Sequence, residues 1–159
     1  MPTHQFTYTE LTSDKELDSP YFDLLSEAKR ITENAYAPYS NFKVGCAVLL
    51  QNGIVVPGVN VENASYPVGI CAERSALSAA LSAYPSEKIR AIAITYQSPK
   101  GDNNTPAFPC GMCRQFILEC EYKNMQPIPL ILGASTGIVY LIETAQHLLP
   151  FGFGPNDLK

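Results

Sequence analysis

The sequence predicts one α/β domain, an α/β/α sandwich in which helices cover both faces of a mixed five-stranded sheet. Two observations lead there. Helix-periodic and β-rich segments alternate from residue 19 onward with no internal repeat or linker, the pattern that builds layered α/β folds. The stretch Ile89–Tyr96 is apolar along nearly its whole length, as a strand must be when both its faces are covered. At 159 residues, 46% hydrophobic and 16% charged, the chain can bury a sizeable core and is too apolar to stay unstructured.

Each element carries its own signal. Residues 1–18 are polar apart from the alternating Phe6 and Tyr8; they read as an N-terminal arm, either an edge strand or a loose segment, ahead of a domain spanning 19–159. Ser19 is the expected N-cap of a first helix, with Pro20 in its first turn. Leu24, Ala28, Ile31 and Ala35 give that helix one apolar stripe, and Pro38 is expected to end it. Phe42–Leu50 and Ile54–Val59 are β-rich and flank Gln51-Asn52-Gly53, a hairpin signal. An Ala-rich helix is expected over 71–83, a strand over 89–96, and a loop over 98–109. A helix over 110–120, strands over 128–132 and 137–141, and a short last helix complete the chain.

Charge and cysteine content narrow the function. The formal net charge is −4 and no run of Lys or Arg occurs, which argues against a nucleic-acid partner and favours a small, nearly neutral substrate. No charged-then-apolar leader opens the sequence and no apolar run approaches membrane-spanning length, so a cytoplasmic protein without a membrane partner is expected. In a reducing compartment five Cys read as ligands, catalytic thiols or packing residues rather than disulfides.

The chemistry concentrates in two elements, Cys71-Ala72-Glu73 and Pro109-Cys110-Gly111-Met112-Cys113. Together they supply three thiols and one carboxylate. A structural zinc site closes with four protein ligands, whereas a catalytic one takes three and leaves a position open. A Glu beside an open site can take a proton from water and pass it on. Cys71 and Cys110 each fall where a helix is expected to begin, where unpaired N–H groups and the helix dipole favour thiolates. Three thiolates against one Zn²⁺ leave an excess of one negative charge, which Arg74 and Arg114 are placed to offset through hydrogen bonds to sulfur. The spacing is that of zinc-dependent hydrolytic deaminases of nucleobases.

Blander readings compete. Cys110-Gly-Met-Cys113 alone fits a thiol–disulfide oxidoreductase, although that leaves Cys71 and Glu73 unexplained. A non-catalytic zinc module needs a fourth ligand that the sequence does not offer at motif spacing. Cys46 and Cys120 read as core packing, and His4 and His147 as surface or packing residues.

With these residues in view, the chain resembles the cytidine deaminases, specifically the small homotetrameric type with three Cys ligands. The resemblance rests on Ala37-Pro38-Tyr39-Ser40-Asn41-Phe42-Lys43-Val44-Gly45, on Asn60-Val61-Glu62-Asn63-Ala64-Ser65-Tyr66-Pro67, and on Cys71-Ala72-Glu73-Arg74. Pro109–Gln115 and Leu149–Pro155 complete the set. It implies a cytidine deaminase-like fold and zinc held by Cys71, Cys110 and Cys113. It also implies Glu73-assisted conversion of cytidine and deoxycytidine to uridine and deoxyuridine, with another cytosine-containing small molecule as the alternative substrate. Further, it implies that Asn60 and Glu62 hold the ribose and that Phe42 stacks on the base, while backbone N–H groups around Cys71 and Ala72, free donors at a helix start, are placed to anchor the ring. Phe153 and Tyr66 are implied in active sites shared between subunits of a homotetramer. The sequence departs from the family pattern at two positions: Phe108 replaces a usual Ser or Thr, and Cys46 replaces a usual Ala.

Overall fold

The computed structural model describes residues 1–100 and 102–159; the 98–109 loop expected from composition therefore includes one residue, Gly101, outside them. Among the described residues six strands form one sheet: β1 (Thr9–Leu11), β2 (Lys43–Leu50), β3 (Val55–Val59), β4 (Ile89–Gln97), β5 (Leu130–Gly133) and β6 (Val139–Ile142). Their spatial order is β1-β6-β5-β4-β2-β3. Only β4 and β5 run parallel; every other pair is antiparallel. The sheet is mixed as expected, but it has six strands rather than five. The extra one comes from the arm, where Thr9, Glu10 and Leu11 pair with Leu141, Tyr140 and Val139.

Side-chain alternation along the strands builds two cores. Cys46, Val48 and Leu50 of β2, Ile92 and Ile94 of β4, and Leu130 and Leu132 of β5 face one layer. There they pack with α2 (Ala72–Ala83) and α3 (Gly111–Asn124). The intervening Ala47, Leu49, Ala91, Ala93 and Ile131 face α1 (Ser19–Ile31) through Leu24, Leu25 and Ala28. Each fully buried Leu or Ile stabilises the fold by about 1.5–3 kcal/mol relative to exposure. Cys46 and Cys120 lie in the first core, buried as packing residues.

Several boundaries differ from expectation. The N-cap of α1 is Asp18, and Ser19 is the first helical residue. The helix ends at Ile31 and a 3-10 turn over Thr32–Asn34 follows, so Pro38 lies beyond it and Ala35 is outside the stripe. The Thr32 hydroxyl donates to the Lys29 carbonyl at 2.7 Å there. At the other end of the chain α3 runs four residues past Cys120. Its last turn looks like solvent-facing sequence, yet Glu121 and Asn124 are buried. Asn124 accepts from Ile89 N and donates to Ile89 O at 2.9 and 2.7 Å. Glu121 accepts from the backbone N–H of Ile128 and of Ala145.

Gly58 brings α2 against β3. A Cβ there would lie 2.4 Å from Ala76 N and 2.8 Å from Ala72 O. That contact seats the N-terminal turn of α2, which carries Cys71 and Glu73. Among the described residues no helix is long and apolar enough to cross a membrane.

Candidate active site

The two motif elements meet where α2 and α3 begin. Cys71 is the N-cap of α2 and Cys110 the N-cap of α3, with Cys113 in the first turn of α3. Their sulfur atoms all lie within 4.8 Å of one another. Cys71 Sγ is 3.9 Å from Cys110 Sγ, which is 3.6 Å from Cys113 Sγ. Tetrahedral zinc with Zn–S bonds of ~2.3 Å requires sulfurs about 3.8 Å apart. The donor set therefore fits zinc in distance and in type. Cys113 is buried, Cys71 half-buried and Cys110 exposed, so the cluster is open on one side, and among the described residues no fourth ligand-type group joins it.

Electrostatics favour a thiolate at this point. Cys71 is lowered to about 6, first by hydrogen bonding from the Cys113 thiol and further by Cys110 and the charge of Arg74, while burial and Glu73 oppose this. Cys113 is pushed up by the same pairing, then by burial. Glu73 is only 4% exposed. Burial raises its pKa, partly offset by hydrogen bonds from its own backbone N–H and from Cys113. A carboxyl whose charged form is disfavoured by burial is suited to accepting and returning a proton.

A cavity of about 690 Å³ opens beside the thiols, within the usual range of ~300–1,000 Å³ for small-molecule sites. Its lining includes Cys71, Ala72, Glu73 and Cys110 together with Phe42, Asn60, Glu62 and Tyr66. Phe153 does not line it; its ring is exposed, and its carbonyl accepts from Gln115 Nε2 at 2.8 Å.

The polar groups are held by contacts that span the chain. Asn60 Oδ1 accepts from Val44 N and Asn60 Nδ2 donates to Phe42 O, both at 2.8 Å. A primary amide has two donors and two lone pairs, so one of each remains for a ligand. Glu62 accepts from Tyr39 N at 2.8 Å, from Ser40 N at 3.3 Å and from the Ser40 hydroxyl. The Ser40 hydroxyl, then Tyr39 N, hold this carboxyl below the usual range. Phe42 stacks on Tyr96 with ring centroids 4.9 Å apart and planes 13° from parallel. Ser40 and Tyr96 thus support the cavity, a role that sequence reasoning misses for both. Ser40 lies within a quoted motif block, whereas Tyr96 carries no local signal beyond an aromatic in a strand.

Of the two arginines, Arg114 does not serve sulfur as expected. Its Nε donates to Pro109 O at 2.8 Å and its Nη1 to Leu148 O at 3.0 Å. Arg74 makes no hydrogen bond to sulfur among the described residues and acts on Cys71 through its charge.

A family model for the cytidine and deoxycytidylate deaminase zinc-binding region matches residues 20–127. The chain belongs to this deaminase family. A cytidine deaminase of Halalkalibacterium halodurans is 39% identical over 136 residues, covering 86% of this chain and 96% of that protein. One of Mycobacterium tuberculosis (strain CDC 1551 / Oshkosh) is 40% identical over 139 residues, covering 85% and 90%. The crystal structure of cytidine deaminase from Burkholderia pseudomallei superposes with a TM-score of 0.71 at 40% identity, covering 82% of this chain and 97% of that one. Membership in the deaminase family makes the chain a hydrolytic deaminase with Zn²⁺ as its cofactor.

Proposed function

We propose that the chain hydrolyses cytidine and deoxycytidine to uridine and deoxyuridine with release of ammonia, as a cytoplasmic homotetramer in pyrimidine salvage. The observation that carries the chemistry is an open three-thiol cluster with a buried Glu73 beside it, lining a cavity that also presents Asn60 and Glu62. Cys71, Cys110 and Cys113 would hold the zinc. When bound, zinc supplies Lewis acidity that makes water nucleophilic at neutral pH.

Glu73 accepts a proton from the attacking water and delivers it to ring nitrogen N3, which makes C4 electrophilic as the water oxygen adds there. Glu73 then carries the second water proton to the amino group. The C4–N bond breaks, ammonia leaves, and a carbonyl remains at C4. The Ala72 N–H at the start of α2 anchors the ring. Phe42, braced by Tyr96, stacks on its face, and the remaining donor of Asn60 and the Glu62 carboxylate take the ribose hydroxyls. Tyr66 and Phe153 are 77% and 56% exposed, which supports their burial by neighbouring copies and the sharing of active sites between subunits.

Ammonia release by zinc-replete protein given cytidine, deoxycytidine, cytosine and cytidine monophosphate in parallel tests this reading. Release from the two nucleosides alone is expected. Release from cytosine at the same efficiency contradicts the ribose role of Asn60 and Glu62, and no release from any of the four overturns the substrate assignment.

A further inference from the structure

Phe108 is two residues before Cys110, lines the cavity, and is 49% exposed. One side of its ring is held: it meets Tyr140 with centroids 5.8 Å apart at 40°. Tyr140 in turn meets Tyr8 at 4.8 Å and 46°. Tyr8 belongs to the N-terminal arm, which joins the sheet next to it, with Glu10 in register with Tyr140. The alternate arm residues continue this docking, Phe6 stacking on His147 and His4 lying against Phe151. The arm precedes the segment matched by the family model, and the proposed reaction uses none of it.

We propose that Phe108 is a specificity-determining residue that closes the thiol end of the cavity against substituents on carbon 5 of the cytosine ring, and that the arm holds it there through Tyr8 and Tyr140. The inference rests on the deaminase reading above. The two ring positions flanking C4 are N3 and C5. N3 is turned to Glu73, at the start of α2, because that carboxyl exchanges protons with it. C5 is therefore turned away from Glu73, and the lining residues Ala107, Phe108 and Met112, which flank the start of α3 rather than of α2, are the ones assigned to meet it. A ring packed at a tilt against a strand-anchored tyrosine is a restrained obstacle, since aromatic pairs favour defined geometries. Tyr140 is a positioning residue in this arrangement, and so is Tyr8.

The experiment compares kcat/KM for 5-methylcytidine with that for cytidine, at matched zinc content, in wild type, Phe108→Ser, Tyr8→Ala and Tyr8→Phe. Rejection of one methyl group is worth roughly 10-fold or more in a shaped pocket. The 5-methylcytidine to cytidine ratio is therefore expected to rise about 10-fold in Phe108→Ser. Loss of one aromatic brace is expected to raise it about 3-fold in Tyr8→Ala, with Tyr8→Phe keeping the wild-type ratio. Calorimetric binding of 5-methyluridine against uridine reads the same limit without turnover, and is expected to shift in the same order. An unchanged ratio in Phe108→Ser, with cytidine still consumed, overturns the specificity role alone. A shift in Phe108→Ser with none in Tyr8→Ala overturns the role of the arm. Wild type that consumes neither nucleoside overturns the deaminase reading and this inference with it.

Discussion

Replacing Gly58 by Ala tests whether packing of α2 on β3 sets the metal geometry. The added Cβ would lie 2.4 Å from Ala76 N and 2.8 Å from both Ala72 O and Ala76 Cα, where ordinary contact begins near 3.4 Å. All three are backbone atoms, so no side-chain rotation relieves the clash. The helix must withdraw by about 1 Å, and overpacking of this kind costs about 1–3 kcal/mol. For a domain of this size that is a fall in Tm of roughly 2–12 °C. Ala72 adjoins Cys71, so the displacement reaches a thiol whose distance to zinc tolerates only about ±0.2 Å. Chelator competition should therefore show weakened zinc affinity alongside the lower Tm. Gly53→Ala is the control. Gly53 has φ +86° and a Cβ added there would meet nothing within 4 Å, so Ala costs about 1–2 kcal/mol of backbone strain far from the thiols. Unchanged zinc affinity in Gly58→Ala, or equal loss in both variants, would show that this packing does not control the thiol positions.

Glu73→Ala should keep its zinc while deamination falls at least ~10²-fold; turnover at the wild-type rate removes the proton-carrying role. Cys110→Ala should lose zinc on dialysis, and full metal content with full activity contradicts its place in the donor set. Ser40→Ala removes the largest influence holding Glu62 below the usual range. Because the folded value is depressed, the carboxylate's anchoring is complete above the ordinary carboxyl range and is lost as pH falls through the lowered value. The variant should lose it at higher pH, read as an upward shift of the Glu62 carboxyl titration by carbon NMR; superimposable curves count against the assignment. Arg114→Ala leaves the Pro109 and Leu148 carbonyls without their charged donor and should cost about 2 kcal/mol in denaturant unfolding, an effect that Arg114→Lys should only partly restore because Lys lacks the planar fork.

The legible parts of the fold were those with local chemistry. Gln51-Asn52-Gly53 marked the β2–β3 hairpin because a two-strand turn constrains its own residues, and Gly53 indeed takes a positive φ. β1 was less legible: three residues, Thr9–Leu11, pair with Val139–Leu141 at the other end of the chain, and nothing local distinguishes them from a polar arm. The last turn of α3 was hidden for a related reason. Glu121 and Asn124 are polar by type, and only their distant partners at Ile128, Ala145 and Ile89 make burial tolerable. In the site the same division holds. The thiols and Glu73 announce themselves by short spacing, whereas the brace of Tyr96 on Phe42 is a contact between common residue types far apart in sequence.

The arginines show why adjacency in sequence misleads. Residues one apart on a helix point about 100° from each other, so Arg114 does not share the face of Cys113. Its guanidinium reaches the carbonyls of Pro109 and Leu148, backbone acceptors that are costly to leave unpaired. Arg74 stands three residues after Cys71, a spacing that keeps two side chains on one helix face, and its charge contributes to lowering that thiol. Cys71 and Cys110 are the N-cap residues of α2 and α3, where the helix dipole favours negative charge, so those helix starts and the charge of Arg74 are the features that would offset three thiolates around a divalent ion. Arg114 instead ties the turn that enters Cys110 to Leu148 in the C-terminal segment.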